Sequence, residues 1–450
     1  MGLEAPTART MKPSSASNAI ILLVTALSQY VRGQTIAISR SSELTFLIGT
    51  QTNGLTRATG PPTGPYQSYA SKITITATRS SPTTIPVTFS LDALTGFTGS
   101  SSSPSSTIIT GQDQTQTSTA PLPVNTQPCN GHVEFCNRRY SDVTVVGCHN
   151  SPFVRPGNSA SNQALDVKTQ LDDGVRFLQA QIQWPLGSSE PHFCHTSCDL
   201  LDAGPIDDWL GQVADWVGQH PYDVVTILLG NGNYSAPELY LPFIEKSGIL
   251  KYTYDAPFLP MSLDDWPTLE KMIIHGKRVV MFLDYKADQK KYPWLLDEFS
   301  QMWETPFDPL DRAFPCSVQR PPGLGEDAAR DRMYLMNHNL NAEFDVFGLQ
   351  LLVPAVSLLN ETNAAEGYGS VGLAANNCMI EWGRPPHVLN VDYYNFGSPE
   401  GSVFEAAARV NNVTYNGHCC RKMSGAVSLG DAASWVLLGT VAFSVSLLLA

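Results

Sequence analysis

Between residues 129 and 422, short apolar runs alternate with stretches of helical periodicity, and this alternation constrains the fold more than any other feature. The runs that predict strands are 143–147, 175–182, 224–229, 279–283, 333–336 and 388–391. Because parallel neighbours need long crossovers, repeated strand–helix units favour a parallel sheet. We therefore predict an α/β fold, a (β/α) barrel of the TIM type. An open doubly wound sheet is the alternative, but no Gly-x-Gly-x-x-Gly loop follows the first run, which disfavours a dinucleotide site.

A helix is predicted over residues 205–219, because apolar side chains recur there at helical spacing. These side chains are Ile206, Trp209, Leu210, Val213, Trp216 and Val217. Pro205 suits a first turn, and Asp207 and Asp208 favour the positive end of the helix dipole. A further helix is predicted over residues 402–411.

The remaining chain divides into three segments. Residues 1–34 hold a short apolar run preceded by Lys12 and predict a signal peptide. Residues 35–128 are rich in Ser, Thr and Pro and predict an O-glycosylated stalk or linker, with a small β module as the alternative. The barrel follows at 129–422. Residues 423–450 end in an apolar tail after small residues, which predicts a glycosylphosphatidylinositol attachment signal or, alternatively, a simple membrane anchor.

The cysteines fit a secreted, disulfide-bonded domain. All nine follow residue 128, and such a pattern in a secreted chain predicts disulfides. The local pairs expected are Cys129 with Cys136 and Cys194 with Cys198, and the odd count leaves one cysteine over. Neither paired Cys-x-x-Cys nor His-x-x-x-His spacing accompanies them, so a zinc site is not expected.

The surface signals point to the outside of the cell. Sequons at Asn233, Asn360 and Asn412 fit glycosylation there. The net charge is −13, and the sequence contains no run of Lys or Arg. No nucleic-acid partner is therefore expected. We predict a secreted protein held at the cell surface through its C-terminal membrane anchor.

Polar side chains follow four of the predicted strands, at the ends where a (β/α) barrel carries its active residues. They are His149 and Asn150 after the first strand, His192 and His195 after the second, Asp284 and Tyr285 after the fourth, and Asp392 after the last. A histidine can accept a proton in one step and return it in the next near neutral pH, and a neighbouring carboxylate fixes its tautomer. Each histidine alone would more simply be a packing or surface residue. Together they predict acid–base catalysis.

Several segments resemble the X domain of the phosphatidylinositol-specific phospholipase C family. Residues 145–151, Val-Val-Gly-Cys-His-Asn-Ser, resemble its first catalytic strand, and residues 171–178, Leu-Asp-Asp-Gly-Val-Arg-Phe-Leu, resemble its second. His195 stands where the family has its second catalytic histidine. The turn His-Pro-Tyr-Asp at 220–223 is similar to the turn before the third strand, and Asp392 lies on a strand similar to the last. The resemblance covers residues 129–422 and looks most like the fungal secreted branch.

The resemblance implies a reaction. His149 would be the general base that takes the proton of the inositol 2-hydroxyl, and His195 the general acid that protonates the leaving glycerol oxygen. Asp392 would hold His149. The substrate would be a phospholipid-type phosphodiester, and the products a cyclic inositol phosphate and a diacylglycerol. His192 is the rival of His195 for the acid role.

The resemblance also assigns a substrate-binding set: Asn150, Arg176, Gln179, Gln181, Asp284 and Tyr285. Several of its members depart from the family. Asn150 stands where the bacterial enzymes have an aspartate, and Asp284 or Tyr285 falls about where they have an inositol-binding arginine. Gln179 and Gln181 stand where the bacterial enzymes have an arginine and where the calcium-dependent enzymes have Glu and Asp. Neutral amides bring no charge to the transition state, and calcium usually binds carboxylates. Gly230 lies near the position of a third acidic ligand. No metal is therefore expected, and chelation should leave activity unchanged.

Three functions fit these residues. The first is a phosphoric diester hydrolase that acts on a phospholipid or related phosphodiester. The second is a catalytically weak cell-surface barrel that binds a glycan or lipid headgroup, which the missing charged residues favour. The third is a structural wall protein with the barrel as a rigid head on a stalk. The histidine pair favours the first.

Overall fold

The computed structural model describes residues 64–76, 127–346, 349–417 and 419–420. They fall into two units. One holds the parallel sheet, its helices and residues 64–76. The described part of the other is 342–346 and 349–351, most of a two-stranded sheet formed by β12 (Asn341–Val346) and β13 (Leu349–Pro354). The predicted signal peptide and C-terminal tail lie outside the described residues.

The main sheet contains eight parallel strands: β2 (Val145–Cys148), β3 (Phe177–Gln183), β6 (Val225–Gly230), β8 (Val279–Leu283), β9 (Leu295–Asp297), β10 (Met302–Glu304), β11 (Met333–Asn337) and β14 (Val388–Val391). Their order in the sheet is β10-β11-β14-β2-β3-β6-β8-β9. A hairpin of β4 (His192–Cys194) and β5 (Asp202–Pro205) extends β3. Finally, β1 (Ile73–Thr74) pairs antiparallel with β7 (Phe258–Leu259).

Helices connect these strands. They are α1 (Val167–Asp173), α2 (Ile206–Gln219), α3 (Leu241–Lys246), α4 (Leu269–Ile274), α5 (Glu298–Gln301), α6 (Glu326–Arg330), α7 (Leu359–Thr362), α8 (Val371–Trp382) and α9 (Ser402–Val410). The Asp166 side chain caps α1 by accepting from the Thr169 backbone N–H, and Gly174 ends it in the left-handed conformation. Among the described residues, no helix is long and apolar enough to cross a membrane.

The sheet curls into a barrel, because side chains from both of its halves meet in one buried cluster. Phe177 of β3, Phe282 of β8, Met302 of β10 and Val388 of β14 all belong to it. Alternate residues such as Leu178 point outward and pack with the helices. Gly147 of β2 faces inward, where a Cβ atom would lie 2.8 Å from Val388 Cγ1. The close packing of the barrel interior therefore requires glycine at this position.

The structure confirms the predicted barrel and all six predicted strands to within two residues. The two predicted helices are confirmed as α2 and α9. Sequence reasoning missed β9 and β10, since three residues are too few to show a period. They end the sheet on either side, and α5 joins them.

Residues 64–76 fall inside the predicted stalk, yet the structure places them against the barrel. Ile73 and Thr74 of β1 pair with Leu259 and Phe258 of β7. A run this short has no periodicity, so the sequence contained no signal for it. Within the predicted stalk, residues 127 and 128 are also described, whereas residues 77–126 lie outside the described residues.

Both predicted local disulfides are confirmed, Cys129–Cys136 and Cys194–Cys198. Two further pairs, Cys316–Cys378 and Cys419–Cys420, complete the set. The odd cysteine is Cys148, which is buried on β2 with a free thiol. The three sequon asparagines are all exposed.

Candidate active site

His149 and Asp392 meet at the carboxyl ends of the adjacent strands β2 and β14. The His149 ring nitrogen Nδ1 lies 2.8 Å from Asp392 Oδ1, and both side chains are buried. A carboxylate at this distance holds the proton on Nδ1 and leaves a lone pair on Nε2. Asn150 Nδ2 lies 3.1 Å from Nε2 and can donate to it. The pair therefore has the geometry of an oriented general base whose basic nitrogen is covered by an amide.

The loop after β2 fixes this pair through two amide side chains. Asn162 Nδ2 donates to Asp392 Oδ1 (2.9 Å), and Asn162 Oδ1 accepts from Asn150 Nδ2 (3.2 Å). Gln163 Nε2 donates to the backbone carbonyls of His149 and Val391 at 2.8 and 3.0 Å. The loop thereby ties the end of β2 to the end of β14.

His195 reaches the same loop from the β4–β5 hairpin. Its Nδ1 donates to the Ala160 carbonyl over 2.6 Å, and its ring stacks on Phe153 with centroids 5.0 Å apart. The Cys194–Cys198 disulfide closes the turn that carries it. With Nδ1 engaged, Nε2 is the nitrogen left to meet a ligand.

The pKa of His195 is lowered to about 4, chiefly by burial and also by the neighbouring His149, while the Ala160 carbonyl and Asp392 act in the opposite direction. His195 and the His149–Asp392 pair contact the same loop, since Ala160 accepts from His195 and Asn162 donates to Asp392. At neutral pH the ring is neutral in the free protein. A nearby anion would favour its charged form.

His192 has a different environment. Its Nδ1 lies 2.9 Å from both carboxylate oxygens of Asp202 on the paired strand β5. This hydrogen bond holds His192 within the hairpin, whereas His195 contacts the same loop that binds His149.

A polar tract crosses the barrel mouth, the end of the sheet formed by the carboxyl ends of the strands. Asn390 Nδ2 donates to Gln179 Oε1 (2.8 Å) and lies 3.4 Å from Asn337 Oδ1. Asn337 Nδ2 in turn donates to Glu304 Oε2 over 3.1 Å. All four side chains are buried. The tract links the strand that precedes Asp392 to the far side of the mouth.

Arg320 ends the polar tract on that far side. It donates to both carboxylate oxygens of Glu304 at 3.1 and 3.0 Å and to the Tyr285 hydroxyl at 2.9 Å. Asp284 lies 3.6 Å from it and accepts from the Asn231 backbone N–H. Burial raises the pKa of Asp284 to about 6, although Arg320 opposes the shift. Asp284 and Tyr285 thus belong to a second cluster at the same mouth.

The structure does not bring Arg176 to the barrel mouth. It precedes β3, and its guanidinium binds Asp223 and the Leu171 and Val175 carbonyls. This position is the amino end of the strand, opposite to His149. The resemblance placed Arg176 in the substrate-binding set, whereas its contacts are those of a residue that stabilises the barrel.

The residues present do not fit a calcium site of the kind found in the calcium-dependent enzymes. Gln179 Oε1 already accepts from Asn390, and Gln181 lies half-buried beside Gly230, where no side chain exists. Within the described ranges, the single group of three metal-type ligands is Asp173 with Cys419 and Cys420. Those two cysteines are joined in a disulfide, so they offer no thiolate.

Sequence reasoning missed Asn162, Gln163, Phe153 and Ala160. Asn162 and Gln163 act through a loop with no periodicity, and Ala160 acts through its backbone carbonyl, which no side-chain pattern reveals. Arg320 was missed for a similar reason, since it enters the mouth from the long connection between β10 and β11. The Asn-Gln dipeptide at 162–163, which begins thirteen residues after the strand-end His149, was the single available signal.

The chain is similar in sequence to a known family and in fold to solved structures. The family model described as PI-PLC X 1 matches residues 135–411. An uncharacterized secreted protein of Arthroderma benhamiae is 53% identical over 314 residues, which cover 70% of this chain and 71% of the relative. The PI-PLC X domain-containing protein 1 of the same fungus is 43% identical over 287 residues, covering 63% and 90%. A solved phosphatidylinositol-specific phospholipase C from Listeria monocytogenes has a TM-score of 0.42 at 12% identity, covering 62% and 96%.

Proposed function

Because the chain belongs to the PI-PLC X-domain family, we propose that it is a phosphoric diester hydrolase acting on a phospholipid-type phosphodiester. The observation that supports this proposal is that the His149–Asp392 pair and His195 contact the same loop after β2, the pair through Asn162 and His195 through Ala160. Two imidazoles on either side of a phosphodiester can move both protons that its cleavage requires.

In the proposed first step, a hydroxyl oxygen next to the phosphate attacks phosphorus. Its proton passes to His149 Nε2, and Asp392 stabilises the imidazolium that forms. The bond between phosphorus and the glycerol oxygen breaks, and that oxygen receives a proton from His195 Nε2. The products are a cyclic phosphate and a diacylglycerol.

In the structure without substrate, two changes are required before the proposed reaction can occur. The Asn150 amide must leave His149 Nε2, and His195 must gain a proton. A bound phosphodiester provides for both, because its anionic oxygens can accept from the Asn150 amide and favour the charged form of His195. Asn150 is thereby proposed as a substrate-binding residue, with Gln179 and Gln181 beside it.

A headgroup-binding barrel without turnover is the second candidate function. One observation favours it: Asn150 covers the basic nitrogen of His149, and the nearby Gln179 is neutral. Such a site could bind a polyol phosphate through hydrogen bonds alone. Its electrostatic stabilisation of a transition state would be weak.

We also infer that the chain is secreted and held at the cell surface by its C-terminal segment. The named secreted relative, the disulfides and the three exposed sequons support this inference. A lipid anchor is favoured over a spanning helix because the apolar tail is short.

The test is turnover of phosphatidylinositol by the purified protein. His149→Ala and His195→Ala should each lower turnover by roughly 100-fold or more, the usual contribution of a general acid or base. His192→Ala is the matched control, since it removes a histidine three residues away that binds Asp202, and its turnover should be close to wild type. Addition of EDTA should change nothing.

The outcomes separate the two candidates. Turnover that survives in His149→Ala would remove the assigned base. Turnover absent from wild type, together with binding of inositol phosphate by calorimetry, would establish the headgroup-binding barrel. Strong inhibition by EDTA would mean that a metal takes part.

A further inference from the structure

Residues 64–76, the N-terminal strap, run along the β8–β9 side of the barrel. Residues 64–67 contact the segments that follow β8 and β9 at the mouth, whereas residues 72–75 contact the segment 257–265 near the amino ends of these strands. The strap is attached by β1, by the Ile75 N–H donating to the Pro257 carbonyl (2.8 Å), and by an ion pair between Lys72 and Asp265. None of its residues is fully buried. A two-residue strand pair with half-exposed side chains is a weak attachment.

The leading residues of the strap cover one aromatic surface of the mouth. The Tyr66 ring packs edge-on against Tyr285 and Phe299, with centroids 5.5 and 4.8 Å apart. Gln67 Nε2 donates to the Ala287 carbonyl at 2.8 Å and lies 3.3 Å from Asp297 Oδ1. These contacts fix the strap over the ends of β8 and β9.

Gly64 fits this surface because it has no side chain. A Cβ atom at this position would lie 2.0 Å from Tyr285 Cε1, which belongs to a ring held on its other sides. Tyr234, Phe299 and Arg320 all contact that ring. With the strap in place, Tyr285 is 4% exposed.

The covered surface has the chemistry of a polyol-binding site. Tyr285 and Phe299 offer ring faces, while Arg320, Glu304 and Asp284 offer charged hydrogen-bonding groups within one cluster. Aromatic rings pack on the C–H face of a sugar-like ring, and charged groups bind its hydroxyls. This cluster lies at the same mouth as His149 and is joined to that side by the polar tract.

The strap stays covalently joined to the barrel through the chain that follows it, so a displaced strap remains at a high effective concentration near its surface. A displaced strap would uncover the Tyr285 ring, which Gly64 and Tyr66 contact.

We propose that residues 64–76 are a self-inhibitory strap, which fills the polyol side of the barrel mouth and must leave before a headgroup binds there. The inference rests on the proposed function, since it regulates that same mouth. Displacement by the headgroup, or cleavage within residues 77–126, would release it.

The experiment compares the full chain with two variants and a control. Gly64→Val should detach the strap through its clash with Tyr285, and deletion of residues 64–76 removes it outright. Gly325→Val is the control, because a Cβ atom there meets nothing within 4 Å. Two quantities are measured: backbone hydrogen exchange of residues 283–288, and the Kd for myo-inositol 1-phosphate by calorimetry.

In both strap variants we expect faster hydrogen exchange at residues 283–288. We also expect the Kd for the probe to fall by about tenfold or more, because in wild type only the molecules whose site is uncovered can bind it. The control should match wild type. An unchanged Kd after deletion would overturn the proposal, as would absence of probe binding in every protein. If the probe binds to none of the proteins, the proposed function can still be tested separately. Turnover that depends on His149 tests it, because that measurement does not involve the strap.

Discussion

The position of the His149 ring is determined by the residues that surround it, more than by the sequence motif in which it occurs. Asp392 holds one ring nitrogen, Asn150 covers the other, and Asn162 binds both of these partners. The motif His-Asn-Ser allowed the histidine to be predicted from sequence, but Asn162 is separated from it by a loop. A residue that contacts substrate can be found from its motif, whereas a residue that positions it is found only through geometry.

The acid role of His195 can be tested by its titration. Its pKa of about 4 in the free protein should rise by roughly 1–3 pH units when a phosphodiester binds, because a nearby negative charge favours the imidazolium. Binding then takes up a proton, so affinity for the diester should increase as pH falls through the bound-state pKa. NMR of the His195 ring with and without glycerophosphoinositol measures both values.

The spectrum of His195→Ala assigns the resonance. A midpoint near 6.5 in the free protein would contradict the burial of the ring. A midpoint that the diester leaves unchanged would contradict the acid role and favour a ligand bound elsewhere in the mouth.

At the scale of elements, the long strands could be predicted and the short ones could not. The run at 279–283 matches β8 residue for residue, since five consecutive buried residues give an unmistakable pattern. β9 and β10 have three residues each, and their burial depends on neighbours far along the chain. The same holds for residues 64–76, whose β1 has two residues that pair with residues of β7 184 and 186 positions away.

The connection between β10 and β11 is the element that delivers Arg320, and a disulfide restrains it. Cys316 in this connection is bonded to Cys378 in α8, 62 residues away. By loop entropy, replacing both with Ser should lower the free energy of unfolding by about 4 kcal/mol. The matched control replaces Cys129 and Cys136, which close only seven residues, and should lose about 2 kcal/mol.

Urea denaturation of the two double variants measures the difference. Equal losses would show that loop length does not determine the stabilisation, and a smaller loss for Cys316 and Cys378 would show that the connection is held by its packing. In the expected case, hydrogen exchange around Arg320 should also increase.

On the scale of the whole molecule, four exposed apolar side chains lie on loops at the barrel mouth. They are Leu186, Leu200, Tyr234 and Leu239, which follow β3, β4 and β6. Their loops leave the strands at the end that carries His149 and His195. For a hydrolase of lipid headgroups, this arrangement would place apolar side chains where the mouth meets a bilayer.

Leu186→Asp should therefore reduce turnover of phosphatidylinositol in vesicles by about tenfold or more, which corresponds to losing the burial of one leucine. Turnover of a soluble glycerophosphoinositol should not change. Ile380→Asp on α8 is the control, since Ile380 is 73% exposed but lies on a helix outside the mouth. Equal effects of the two substitutions would contradict a mouth-specific contact with lipid.

The two clusters at the mouth have consequences for how such a protein changes over evolutionary time. The residues proposed for proton transfer come from the ends of β2 and β14 and from the β4–β5 hairpin, while the cluster of Tyr285 and Arg320 comes from β8, β10 and a separate connection. Substitutions around Tyr285 and Arg320 can therefore alter which molecule is recognised without disturbing His149 or Asp392. A lineage can acquire a new substrate on one half of the barrel while it inherits its chemistry on the other.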